Sequence, residues 1–155
     1  GLDLPFAVYH SLERWHPGRI GALTLYCSDG RWGGAFDEFC HRRLQIPRYD
    51  RWAVPGGPAW LAGREEDRFL LHAARTQLDF LVDAHELQRL VLMPHYGCAW
   101  YAHRLGRPPE ECLEAQLDDV RAAATTLRGW YPEIKVEGYL AMRRDEWISF
   151  HQLDV

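Results

Sequence analysis

The sequence predicts an α/β fold: a mostly parallel sheet flanked by helices on both faces, closed by an antiparallel C-terminal edge hairpin. Three observations predict it. The runs Ile20 to Tyr26 and Leu90 to Met93 carry no charge, as strands covered on both faces do. Two long segments with helical apolar spacing lie between strand candidates, and strand-helix alternation implies parallel pairing through crossovers. The last two strand candidates are joined by a tight turn at Arg143-Arg144-Asp145, which fits only an antiparallel pair. A length of 155 residues suits a single domain, residues 1–155, with residues 1–19 as an N-terminal arm.

Along the chain, residues 3–15 read as a short amphipathic arm stopped by His16-Pro17-Gly18. The first strand is Gly21 to Tyr26. Gly33-Gly34 opens a helix to about Arg43, and Arg51 to Val54 is a short strand ended by Pro55-Gly56-Gly57-Pro58. A helix follows over Glu65 to His85, with Phe69, Ala73, Gln77, Phe80 and Ala84 as its apolar line and Leu70 and Leu81 widening it. Arg89 to Met93 is the next strand. Pro108-Pro109 start a further helix in the permitted first turn. Its line is Leu113, Leu117, Val120, Ala124 and Leu127, and Gly129 and Pro132 end it. Ile134 to Met142 and Glu146 to Leu153 are the closing strands.

Composition narrows the function. The chain is 47% hydrophobic and 26% charged with net charge −4, which gives no reason to expect nucleic acid or an anionic membrane as partner. Lys135 is the only lysine, and the arginines are scattered among acids. No run approaches the roughly 18 apolar residues of a membrane span, and no basic-then-apolar leader opens the sequence. The chain starts Gly-Leu-Asp rather than with Met, which leaves processing or truncation open. Of the four cysteines, Cys27 and Cys98 sit in metal-ligand contexts, whereas Cys40 and Cys112 read as small buried hydrophobes. That usage fits a reducing, cytoplasmic location.

Two clusters carry the chemistry: Cys27-Ser28-Asp29-Gly30-Arg31 and His95-Tyr96-Gly97-Cys98. Each follows a strand. In parallel sheets, sites form beyond the carboxyl ends of strands where strand order reverses. Two thiolates and an imidazole suit zinc, and three protein ligands leave a fourth position for water or for Asp29. Two thiolates cancel the charge of the ion, so donors around it must help ionise a bound water. Asp29 and Arg31, two apart on a turn, are placed to pair. Paired, Asp29 stays off the metal and accepts a hydrogen bond from the nucleophile; unpaired, it takes the fourth position. Gly30 is expected to permit a backbone angle that other residues resist. A dinucleotide dehydrogenase is excluded for want of a Gly-x-Gly-x-x-Gly turn. A structural zinc knuckle would place its cysteines in close pairs.

Cys-x-Asp-x-Arg after the first strand and His-x-x-Cys after a later one resemble the β-class carbonic anhydrases, over about Gly21 to Leu153. The helix leading to His95 and the closing Lys135-Val136-Glu137-Gly138-Tyr139 strand are similar to that family as well. The resemblance implies a β-carbonic anhydrase-like fold and a Zn2+ lyase interconverting carbon dioxide and bicarbonate through zinc-bound hydroxide. It also implies a homodimer or higher homo-oligomer. It assigns Cys27, His95 and Cys98 as ligands, Asp29 as switchable ligand or hydroxide acceptor, and Arg31 as its partner.

The chain departs from the family at three places. Val54-Pro55-Gly56-Gly57-Pro58 stands where the family has an Arg-Asn-Ala-Gly-Asn-like segment, matching around Gly57. Ala99-Trp100 replaces the glycines that follow the second cysteine. His16-Pro17-Gly18-Arg19 lacks the pocket glutamine of plant-type members. These changes bear on pocket shape, so a zinc hydrolase of carbonyl sulfide or carbon disulfide and a catalytically silent zinc-binding homologue stand as alternatives. Tyr96 and Trp100 flank the ligands as pocket walls or packing. His103, about a helical turn past Cys98, reads as a surface residue rather than a proton relay. Trp15, Trp32, Trp52, Trp60 and Trp130 suit a dimer interface or a plain core.

Overall fold

A computed structural model describes residues Gly1 to Val155. The strands are β1 (Ala22–Cys27), β2 (Asp50–Val54), β3 (Arg89–Met93), β4 (Lys135–Arg144) and β5 (Trp147–Leu153). They form one sheet in the order β2-β1-β3-β4-β5. The first four are mutually parallel where they pair, and β5 runs antiparallel to β4. The chain passes from β1 out to β2 and then back to the other side of β1 to form β3. Strand order therefore reverses between β1 and β3.

The pleat sends alternate side chains to opposite faces. Leu23, Leu25, Leu90 and Leu92 point into one core, under α2 (Arg68–His85), a 3-10 turn at Gly57–Leu61 and a long C-terminal helix spanning Leu113–Trp130. Ala22, Tyr26, Val91 and Met93 point into the other, under α1 (Gly33–Glu38) and the π-helical turn Phe39–Arg43 that continues it. Two-sided burial explains why β1 and β3 carry no polar alternation. Helices on both faces, as the sequence predicts, follow from it. A short helix, α3 (Ala99–Leu105), follows Cys98 and stops at Gly106, which adopts φ +64. The Leu113–Trp130 helix is α4.

Two expectations are corrected, and for two tryptophans the core alternative holds. The buried line of α2 is Ala74 and Leu78, flanked by Leu71, Leu81 and Val82, whereas Phe69 and Phe80 stand 84% and 69% exposed. Both lines satisfy the helical period; the one with branched aliphatics and a small alanine fits against the Gly57–Leu61 turn. Gln77 instead accepts a hydrogen bond from the Trp52 indole at 2.7 Å. Gly30 does not adopt a positive φ. Trp32 and Trp52 are buried in the two cores, so they are not free to cover an interface. The arm contains no helix or strand, and Leu2, Leu4, Phe6, Val8, Leu12 and Trp15 are exposed along it. Cys40 and Cys112 are buried free thiols, and no helix is long and apolar enough to cross a membrane.

Glycine is required where the chain leaves β2. Gly57 has φ +50, and a Cβ there would lie 2.7 Å from the Tyr26 carbonyl carbon and 2.9 Å from the Cys27 nitrogen. Neither atom can move without moving β1. Gly57→Ala is expected to cost roughly 2–4 kcal/mol, the sum of left-handed strain and overpacking. Gly30→Ala, with open space around it, should stay within about 0.5 kcal/mol. Urea denaturation of the two variants checks the contrast.

Candidate metal centre

Cys27 is the last residue of β1, and His95 and Cys98 follow β3 in a loop before α3. Adjacent parallel strands thus deliver all three to the point where strand order reverses, the position expected of a site in such a sheet. One ligand-type atom from each lies within 4.8 Å of the others, and all three residues are buried. The two sulfurs are 3.9 Å apart. Tetrahedral zinc with sulfurs at about 2.3 Å would hold them about 3.8 Å apart.

The His95 ring is oriented from two sides. Its Nδ1 lies 2.8 Å from the Tyr96 carbonyl oxygen, which can only accept, so Nδ1 carries the proton. Trp32 lies against the ring with centroids 4.8 Å apart. The residue is 1% exposed, and its Nε2 has no hydrogen-bond partner. A buried imidazole nitrogen with a free lone pair is costly unless something binds it. The donor set and this orphaned atom fit a zinc ion.

The thiols are tuned oppositely. Cys27 is pulled well below the usual thiol range, first by the neighbouring Cys98 thiol and then by His95 and the backbone N–H groups of Asp29 and Gly56, against the burial that opposes it. Cys98 is pushed up by Cys27 and by burial, although the N–H groups of Tyr101 and Trp100 favour its thiolate. Two buried sulfurs this close share one proton between them unless a cation replaces it. The N–H donors come from the Asp29 turn, the Gly56 turn and the start of α3.

Asp29 faces Arg31. The guanidinium donates from Nε to Oδ1 at 3.0 Å and from Nη2 to Oδ2 at 2.7 Å, and the Arg31 backbone N–H adds a third bond to Oδ1 at 3.0 Å. Those bonds hold the carboxyl at about 2, below its ordinary 3.8. Both oxygens are engaged, and Asp29 stands outside the three-residue cluster. Beyond the pair an open groove is lined by Arg31, Trp32, Tyr96, Gly97, Glu110 and Arg143. His103 is exposed.

Trp100 packs edge-on against the Gly56 backbone: a Cβ at Gly56 would lie 2.3 Å from its Cδ1. The turn that supports Cys27 and the helix that follows Cys98 are thereby locked together. Sequence reasoning missed the buried polar residues behind the loop, Gln116 and Asp119 on α4. The available signal was their phase, since position 116 lies on the same line as Val120, Ala123 and Leu127.

A family model described as "Putative carbonic anhydrase" matches residues 19–149. The β-carbonic anhydrase isoform I of the protozoan Trichomonas vaginalis superposes with a TM-score of 0.52 at 15% identity, covering 90% of this chain and 87% of that one. A structure from work on two tetrameric β-carbonic anhydrases of the ascomycete Sordaria macrospora superposes with a TM-score of 0.50 at 14% identity, covering 86% and 81%. At such identities these two show the fold. No curated protein matches the sequence.

The Asp29 carboxylate is stabilised in its charged form, so its contribution is present above the ordinary value and is lost as pH falls through about 2. The pair with Arg31 is therefore intact across the neutral range. In the metal-free protein, carboxyl carbon NMR should place Asp29 near 2, and Arg31→Ala should move it toward 3.8. An unmoved value in the variant would mean that backbone N–H groups alone hold it.

Proposed function

The chain belongs to the carbonic anhydrase family whose model spans residues 19–149, and from that premise we propose that it interconverts carbon dioxide and bicarbonate with zinc held by Cys27, His95 and Cys98. The observation that carries the reading is the buried cluster of two sulfurs and an imidazole within 4.8 Å, with His95 Nε2 left unpartnered. Zinc supplies the Lewis acidity that brings the ionisation of water toward neutral pH. The protein supplies the rest. Cys27 and Cys98 balance the charge of the ion, and the N–H groups aimed at their sulfurs moderate how much electron density they donate.

Asp29 is the acceptor that orients the attacking water, and Arg31 keeps it charged and turned from the ion. Because Arg31 engages both carboxylate oxygens, Asp29 presents only their remaining lone pairs, which suits accepting one hydrogen bond from water. The adjoining groove, with Arg31 and Arg143 on its walls, gives bicarbonate a cationic route to bulk solvent. Trp32 packs against the His95 ring and, with Tyr96, lines the groove beside the ligands.

The active form is a homodimer or a higher homo-oligomer. The arm places six large apolar side chains in water along a segment without helix or strand, and a second copy is the natural cover for so much apolar surface. Free cysteines throughout suit a reducing, cytoplasmic compartment.

Purified protein is expected to hold one zinc per chain and to give rapid carbon dioxide hydration by stopped flow. Sulfide release from carbonyl sulfide or carbon disulfide without hydration would transfer the site to the hydrolase reading, and zinc without either activity would leave a binding protein. Asp29→Ala should keep its zinc while turnover falls by about 100-fold or more, the usual scale for losing a positioned proton acceptor. Loss of zinc in that variant would overturn the role given to Asp29. Removing residues 1–15 should leave the Tm of the folded chain nearly unchanged and shift sedimentation toward monomer.

A further inference from the structure

The loop that carries His95 and Cys98 has little rigidity of its own. It contains Gly97 at φ +73, and one short bridge to Ala141, with the Tyr96 N–H on the Ala141 oxygen at 2.8 Å, ties it to the sheet. Behind it stands α4, which presents two buried polar side chains one turn apart. Gln116 is 2% exposed and donates from Nε2 to the His95 carbonyl oxygen at 2.8 Å. Asp119 is 4% exposed and accepts from the Tyr101 hydroxyl at 2.6 Å and from Arg64 Nη1 at 2.5 Å, both on Oδ2. Tyr101 is the third residue past Cys98. Its backbone N–H bonds the Cys98 oxygen at 3.2 Å.

We infer that Gln116 and Asp119 are positioning residues that set the separation of His95 and Cys98 toward zinc, Gln116 through the His95 carbonyl and Asp119 through Tyr101. The inference rests on the reading of Cys27, His95 and Cys98 as ligands.

Stability alone does not explain these residues. Gln116 Oε1 is buried without a partner, so the side chain leaves half its bonding capacity unused in a core that an aliphatic residue would fill at lower cost. What the amide provides is a donor to the carbonyl of His95 itself. Asp119 likewise joins three separate pieces of chain: Arg64 ahead of α2, Tyr101 on α3, and α4 itself. The Tyr101 hydroxyl donates to the Asp119 carboxylate inside the core, so the anchor is made by a buried donor and a buried acceptor. The two anchors grip the loop at either end of its ligand pair.

The test uses the full chain loaded with zinc or with cobalt. Gln116→Leu, Asp119→Asn and Tyr101→Phe are each expected to weaken zinc binding about 10- to 100-fold in chelator competition, the scale seen when groups supporting metal ligands are removed. The d–d and sulfur-to-metal bands of the cobalt protein should shift with them. Asp118→Asn, on the exposed side of the same helix and paired with Arg121, should change neither. Gln116→Leu should at the same time keep or raise the Tm of the metal-free protein, which separates positioning from support of the fold. If Asp119→Asn fails to fold, Tyr101→Phe reports on the same anchor with its ring intact.

Variants with wild-type zinc affinity and unshifted cobalt bands would overturn the inference and leave the proposed function standing. Shifted bands and weakened zinc in a protein that hydrates no carbon dioxide would uphold the inference and remove the proposed function. A wild-type chain without affinity for zinc would overturn both.

Discussion

Two sulfurs 3.9 Å apart and an imidazole nitrogen without a partner cannot sit in a protein interior without compensation. A pair of buried thiols can shed one proton between them, and the resulting charge must be met by donors or by a cation. The surroundings of Cys27 and Cys98 are organised by that requirement. N–H groups converge from three separate turns, the first turn of α3 begins at the second cysteine, and Trp32 excludes water from the third donor. The sheet topology favours the encounter, because Cys27 ends β1 and the loop with the other two residues leaves the neighbouring β3.

The elements that meet this requirement were unequally legible. β1 and β3 were readable because the buried spans of strands covered on both faces carry no charge, and the Cys-x-Asp-x-Arg and His-x-x-Cys patterns stand at or just past their carboxyl ends. Parallel order then followed from the alternation with helices, and the reversal between β1 and β3 brought the clusters together. The face of α2 was not readable. Two apolar lines run along that helix, and the choice between Phe69/Phe80 and Leu71/Leu78 depends on the shape of the turn beneath it, which no periodicity encodes. α3 escaped notice because a helix of seven residues gives almost no periodic signal. Gln116 and Asp119 were hidden for the opposite reason: they lie on a clear helix, but polar residues there read as solvent-facing until the loop they hold is placed opposite.

Labour in the site is divided between rigid and adjustable parts. The three donors are embedded in the core and supported from the sheet, α3 and α4. Asp29 and Arg31 lie on a turn at the surface, and their geometry closes on itself through three bonds within a two-residue span. The pair's side-chain bonds are thus made within its own turn and draw on none of the three donors. By contrast Cys40 and Cys112, also buried, stand outside the cluster of ligand-type atoms: Cys40 packs in the core under α1, and the Cys112 thiol donates to the Pro108 carbonyl oxygen.

The contact between Trp100 and Gly56 joins two peculiarities that look independent along the chain. Aligning Gly57 with the glycine of the family's Arg-Asn-Ala-Gly-Asn segment puts that family's alanine at position 56, where its methyl group would collide with the indole. The missing methyl and the added ring are thus one exchange of volume across the interior. A glycine at position 56 tolerates any residue at position 100, whereas the indole at position 100 requires the glycine. A lineage could cross between the two arrangements only by losing the methyl first and gaining the indole afterwards.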